Sequence, residues 1–164
     1  MKINNLNDLF VDMLKDLYSA EVQLVKQLPV LAKKATTKEL KNALEDHLQV
    51  TSSQRDRIEA LCKEMNINPK GKNCAAMEGI VKEAEETVSE IESNLVMDAA
   101  IIAVAQKVEH YEIASYGTAV AFAKMLGNQQ AQKVLHDILE EEKQADALLT
   151  KIAESAANVI AAQK

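Results

Sequence analysis

Apolar residues recur at alternating spacings of four and three along four stretches of the chain, the repeat of helices that bury one face in a bundle. In the first stretch they are Phe10, Leu14, Leu17, Leu24, Leu28 and Leu31, with Glu21 on the same line. The second line reads Leu40, Leu44, His47, Thr51, Gln54, Ile58, Leu61 and Met65, polar in its middle. The third is Ile102, Ala105, Glu109, Glu112, Tyr116, Ala119 and Ala123; the last is Leu135, Ile138, Glu142, Ala145, Leu149 and Ile152. A shift of one residue in the last line would bring Glu141 inward instead.

Breaks between these stretches set the elements. Pro69 and Gly71 sit in a polar run over 66–73, Gly127-Asn128 forms a second break, and Thr36-Thr37 a weaker third. The pattern predicts helices over 6–34, 37–65, 75–92, 97–126 and 129–160. Pro29 removes a backbone donor inside the first and is expected to kink its last turns or end it early. Short links make the first two and the last two long helices antiparallel hairpins. The long connection between them can return along the bundle, each long helix measuring roughly 40 Å at about 1.5 Å per residue. The expected fold is all-α: an antiparallel four-helix bundle with a long crossover carrying a short fifth helix, one domain over residues 1–164.

The polar residues on these lines change the picture. Glu21, His47 with Thr51 and Gln54, Glu109 with Glu112, and Glu142 all fall near helix midpoints and so at similar heights. A buried carboxylate without a partner costs several kcal/mol, and like charges in contact cost more. The layer therefore needs protons, basic partners or cations. The lines contain no Lys or Arg, and His47 is their one candidate for positive charge. Oxygen ligands with one imidazole suit iron or manganese, at most two ions per bundle, with zinc less suited. The bland alternative stands beside this: protonated carboxyls paired with Tyr18, Tyr111, Tyr116, Thr51 or Gln54, and no metal.

Composition supports helices. Aromatic residues make up 3% of the chain, and 4 Gly and 2 Pro among 164 residues leave little turn chemistry for a sheet. The net charge of −6 argues against nucleic acid and anionic membrane as partners. No apolar run reaches the roughly 18 residues of a membrane span, and the start lacks a signal-peptide core, so a cytoplasmic location is expected. Cys62 and Cys74 form no CxxC pair, and a bridge between them is not expected there. His110 and His136 fall off the lines and are read as surface residues. Met77, Met97 and Met125 are read as core filling rather than a thioether metal site. The acidic run Glu83, Glu85, Glu86, Glu90 and Glu92 belongs to a solvated face.

Several blocks carry a family resemblance: Leu17-Tyr18-Ser19-Ala20-Glu21, His47-Leu48 with Thr51 and Gln54, Ala76-Met77-Glu78-Gly79, Val108-Glu109-His110-Tyr111-Glu112-Ile113-Ala114-Ser115-Tyr116-Gly117, and Leu139-Glu140-Glu141-Glu142-Lys143 with Asp146. With them the chain resembles the YciF/YciE-type ferritin-like proteins of bacteria, the YciF branch in particular. The resemblance implies a ferritin-like bundle, a homodimer, a link to stress responses and a di-metal centre. It makes Glu21, Glu109, Glu112 and Glu142 the acidic ligands, with His47 beside them. Relatives commonly read His-Leu-Glu-Glu-Thr where this chain reads His47-Leu48-Gln49-Val50-Thr51. Val50 thus replaces a carboxylate, and no helix carries Glu-x-x-His. Two functions follow. One is a di-iron or di-manganese protein acting on ferrous iron or peroxide, in the manner of an oxidase or peroxidase. The other is a non-catalytic bundle with a degenerate site, binding an unknown protein partner. An enzyme acting on a small organic molecule finds little support, because the lines show no cavity-making run of small residues apart from 99–105.

Overall fold

A computed structural model describes residues 2–163. Four long helices and a short one appear in the expected order: α1 (Leu6–Lys34), α2 (Lys38–Glu64), α3 (Ala75–Ser89), α4 (Asn94–Met125) and α5 (Gln129–Ile152). The fold is an all-α, ferritin-like antiparallel four-helix bundle, with α3 on the crossover. Each long helix starts on a side-chain cap. Asn5, Thr37, Ser93 and Asn128 accept from backbone N–H groups of the first turn of α1, α2, α4 and α5.

Helices α2 and α3 end one and three residues short of expectation, at Glu64 and Ser89. Helix α1 keeps its expected bounds and is not ended early at Pro29. Burial of Leu28, Leu31 and Ala32 beyond and beside the proline outweighs one missing hydrogen bond. Helix α4 begins three residues sooner, because Ser93 caps it. Helix α5 stops at Ile152 and passes into a wide turn of π-helix, Ala153–Ala157, before a last α turn, α6 (Asn158–Ala161).

Two apolar clusters occupy the ends of the bundle. One joins the start of α1 to the end of α2, the end of α4 and the start of α5, through Phe10, Leu14, Ile58, Tyr116, Leu135 and Ile138. The other joins the opposite ends through Leu31, Leu44, Ile101, Ile102, Leu149 and Ile152. These memberships make α1 antiparallel to α2 and to α4, and α5 parallel to α1. The chain leaves α2 at one end and enters α4 at the other, so the crossover spans the bundle. Helix α3 packs on α1 and α4. Its start is pinned by Lys72, whose Nζ lies 2.6 Å from Asp12 and 3.2 Å from Asp16. Cys74 caps α3, and its backbone N–H donates to Ser19 Oγ at 2.9 Å.

All the residues on the α1 and α4 lines are buried, as are those of α5 except the half-buried Ala145. On α2, His47 and Met65 are half-buried and the rest buried. Met77 is core, and Met97 packs against one end cluster. Met125 is a correction: it is 76% exposed, because it follows Ala123 off the seam at the end of α4. Both cysteines are free and buried. Among the described residues no helix is long and apolar enough to cross a membrane.

Candidate metal centre

Between the two apolar ends lies a polar layer. Glu21 and Glu142 are 0% exposed, Glu112 1% and Glu109 2%. Each carboxyl reaches the interior because its helix continues the apolar line on both sides of it. Tyr116, one turn beyond Glu112 on α4, and Thr51 and Gln54 on α2 share the layer and are also fully buried. His47 lies at its edge.

Ligand atoms of His47, Glu109, Glu112 and Glu142 lie within 4.8 Å of one another. His47 Nε2 is 3.2 Å from Glu109 Oε1 and 3.9 Å from Glu142 Oε2. These are ion-pair distances, but neither carboxylate lies in line for a hydrogen bond to that nitrogen. Glu21 falls outside this set of four and is held separately. Tyr116 donates its hydroxyl to Glu21 Oε1, and Glu112 is its carboxyl neighbour. On the far side Gln54 donates from Nε2 to Glu142, and to Glu141 at 3.0 Å.

The register question on α5 resolves in this geometry. Glu142 faces inward, and Glu141 stands at the rim, where Arg57 of α2 pairs with it. Arg57 was missed in the sequence because it lies three residues beyond Gln54, off the buried line. Its spacing of one helical turn from Gln54 was the available signal. Of the tyrosines offered as partners, Tyr116 serves the layer. Tyr111 instead donates to Asp16 at 2.8 Å beside Cys74. Thr51 Oγ1 has no hydrogen-bond partner among the described residues. His110 and His136 are exposed, His110 lying 3.4 Å from Asp146. The acidic residues of the crossover are exposed as well.

Electrostatics follow from this burial. Desolvation pushes Glu21 up to about 7, against the hydrogen bond of Tyr116 and the charge of His47. Desolvation also carries Glu112 well above the usual range, reinforced by the charges of Glu21, Glu142 and Glu109. Glu142 moves the same way through desolvation and its contact with Glu109. For His47 burial pulls downward, but the carboxylates of Glu109, Glu21 and Glu141 outweigh it and the net shift is upward. The layer thus holds more protons than its residues would in water.

The residues fit a metal on grounds of their own chemistry. Ten buried side-chain nitrogen or oxygen atoms lack a hydrogen-bond partner among the described residues. Eight belong to this layer: Glu21 Oε2, His47 Nε2, Thr51 Oγ1, Gln54 Oε1, Glu109 Oε2, both oxygens of Glu112, and Glu142 Oε2. Native interiors leave few such atoms, and a cluster of acceptors calls for protons or cations. The donors are carboxylate oxygens and one imidazole, the set preferred by iron and manganese in helical bundles.

Fold and layer together define the ferritin-like class of helical bundle. A family described as a domain of unknown function, DUF892, matches residues 5–162. Protein YciF of Escherichia coli K12 is 46% identical over 154 residues, 93% of each chain. The solved structure of the E. coli stress protein YciF superposes with a TM-score of 0.90 at 44% identity, covering 95% of this chain and 99% of that one. YcfI of Rhodopseudomonas palustris matches equally well, with a TM-score of 0.90 at 43% identity over 93% of this chain and 97% of its own. A protein from Xanthomonas campestris, 21% identical over 96% of each chain with a TM-score of 0.75, shares the fold. The chain belongs to this DUF892 family and is of the YciF type.

Proposed function

We propose that the layer is a metal centre for iron or manganese, with at most two ions, and that the protein uses it in a bacterial stress response. The carrying observation is the set of four ligand atoms within 4.8 Å, surrounded by buried acceptors that nothing among the described residues satisfies. His47, Glu109, Glu112 and Glu142 would hold an ion, and Glu21 would extend the site toward a second. Bound there, such ions supply Lewis acidity and, for iron, electron transfer with oxygen species. Oxidation of ferrous iron or reduction of peroxide is the activity this chemistry serves.

The chain's own groups prepare the site. Tyr116 orients Glu21, and Gln54 orients Glu142, which fixes the carboxylates before any ion arrives. The carboxyls surrender protons as ions enter, because a metal and a proton compete for the same oxygens. Apolar clusters at both ends limit water. The description of E. coli YciF as a stress protein supports the physiological setting. Action as a homodimer in the cytoplasm completes the proposal.

The competing reading is a non-catalytic bundle whose polar layer sets helix register and binds nothing. Val50 favours it, since Val50 adds no ligand beside His47. The unsatisfied atoms weigh against it. Metal analysis of purified protein, followed by ferrous titration with optical detection, separates the two. Failure to take up metal at stoichiometric levels would sink the redox reading.

A further inference from the structure

A cavity of about 200 Å³ opens between α2 and α5. Its walls are Ala43, Leu44 and Val50 on one helix and Ala145, Leu148 and Leu149 on the other. Asp46 and Gln144 stand at the exposed rim, and His47 and Glu109 line its buried end. Small side chains make this space: Ala43 and Ala145 cannot fill it, and the short Val50 stands beside His47. No single stretch of the sequence shows this set of small residues, because they come from two different helices.

The cavity has a particular chemistry. An apolar void of about 150 Å³ in a helical protein admits benzene, so the volume here suits a body of one ring or a short branched chain. The buried end is different. Glu109 is 2% exposed with Oε2 unpartnered, and His47 Nε2 also lacks a hydrogen bond. A ligand that filled the walls with hydrocarbon and presented one hydroxyl-type head could both donate to a carboxylate and accept from an imidazole N–H. An anionic head is disfavoured, because Glu109 lies at the buried end of the cavity and Glu141 and Asp46 stand near its mouth. A cationic head would give up its water in a cleft walled mainly by apolar side chains, and a charge so placed costs more than a neutral hydroxyl.

We infer that the α2–α5 cavity binds a small neutral molecule with an apolar body and a single hydroxyl-type head, the class that spans alcohols, phenols and hydroperoxides. This goes beyond the metal reading and does not require it. Binding rests on the walls and on His47 and Glu109, all present without an ion.

The test uses the full chain in excess chelator, so that its outcome is independent of metal uptake. Benzyl alcohol, toluene, benzoate and benzylamine share one body and differ in the head. Benzyl alcohol is expected to shift the methyl resonances of Val50, Leu148 and Leu149 saturably, and to bind about tenfold more tightly than the other three, a difference of about 1.4 kcal/mol. Val50→Glu places a charge on the wall and Ala145→Phe fills the space; each is expected to weaken benzyl alcohol about tenfold or more. Absence of saturable shifts overturns the inference, as does equal binding of benzoate or benzylamine, or affinity unchanged in both variants. Occlusion of the cavity by self-association, with those methyls protected and no alcohol bound, overturns it too.

Discussion

His47 Nε2 stands 3.2 Å from Glu109 Oε1, and this contact links the one imidazole of the layer to its carboxylates. The pair lies at the boundary between the closed layer and the α2–α5 cavity. The energetics of the layer depend on how its negative charge is neutralised there.

Manganese or ferrous iron under anaerobic conditions should raise the melting temperature, since a ligand that binds only the folded state stabilises it. At a free concentration of about 100 times Kd the gain is about 2.7 kcal/mol. For a chain of this size that corresponds to roughly 5–10 °C. In Glu109→Gln with Glu112→Gln the metal-dependent shift should vanish, while the metal-free variant melts no lower than the metal-free parent. Differential scanning calorimetry with and without chelator reads both.

Metal-free protein should lose stability as pH rises. Glu21 is raised from 4.5 to about 7 when folded, so between these values the native state holds a proton that the unfolded state has released. Glu112 and Glu142 are raised as well and act in the same direction. His47, also raised, contributes stability that is present below pH 6.5 and fades above it. Urea midpoints in chelator should fall from about pH 5 to pH 8, and metal should flatten the slope. A midpoint that climbs over this range would contradict the assigned burial.

Val50→Glu is expected to tighten metal binding by about tenfold, because it adds a carboxylate on the helix that supplies only His47. The same substitution is expected to weaken benzyl alcohol in the cavity, so the two affinities should move in opposite directions. Competition titrations against a chromogenic chelator measure the first.

Asp98 offers a test outside the layer. Buried on α4, it accepts the backbone N–H groups of Thr36 at 2.6 Å and Thr37 at 2.9 Å and so secures the α1–α2 turn. Burial alone would raise its pKa, but those backbone donors outweigh it and the net shift is downward. The stabilisation is therefore present above the ordinary carboxylate value and lost as pH falls through the lowered one. Asp98→Asn should cost about 1.5–3 kcal/mol at pH 7, the range for hydrogen bonds to a charged group, and progressively less below about pH 4. Denaturant unfolding at pH 7 and pH 3 compares them.

The thiols should resist modification in the native state. Cys62 is fully buried, and desolvation lifts it to about 11. Cys74 is buried and raised too, chiefly by desolvation. Alkylation at pH 7.5 is expected only at the rate of unfolding. Fast labelling of either residue would place it outside the core.

Much of this protein is determined by its sequence read alone. Helix order and register follow from the apolar period, because a helix can bury only the face that repeats every three to four residues. The depth of Glu21, Glu109 and Glu112 was legible for the same reason: each interrupts such a line without shifting it. Only the tertiary structure decided what meets across helices. It turned Glu142 rather than Glu141 inward, brought Arg57 to Glu141, gave Tyr116 to Glu21 and Tyr111 to Asp16, and opened a cavity where Ala43 and Val50 face Ala145. Periodicity fixes a side chain's direction about its own axis. The rotation and separation of neighbouring axes come from packing all four helices at once, and that is a property of no single stretch of chain.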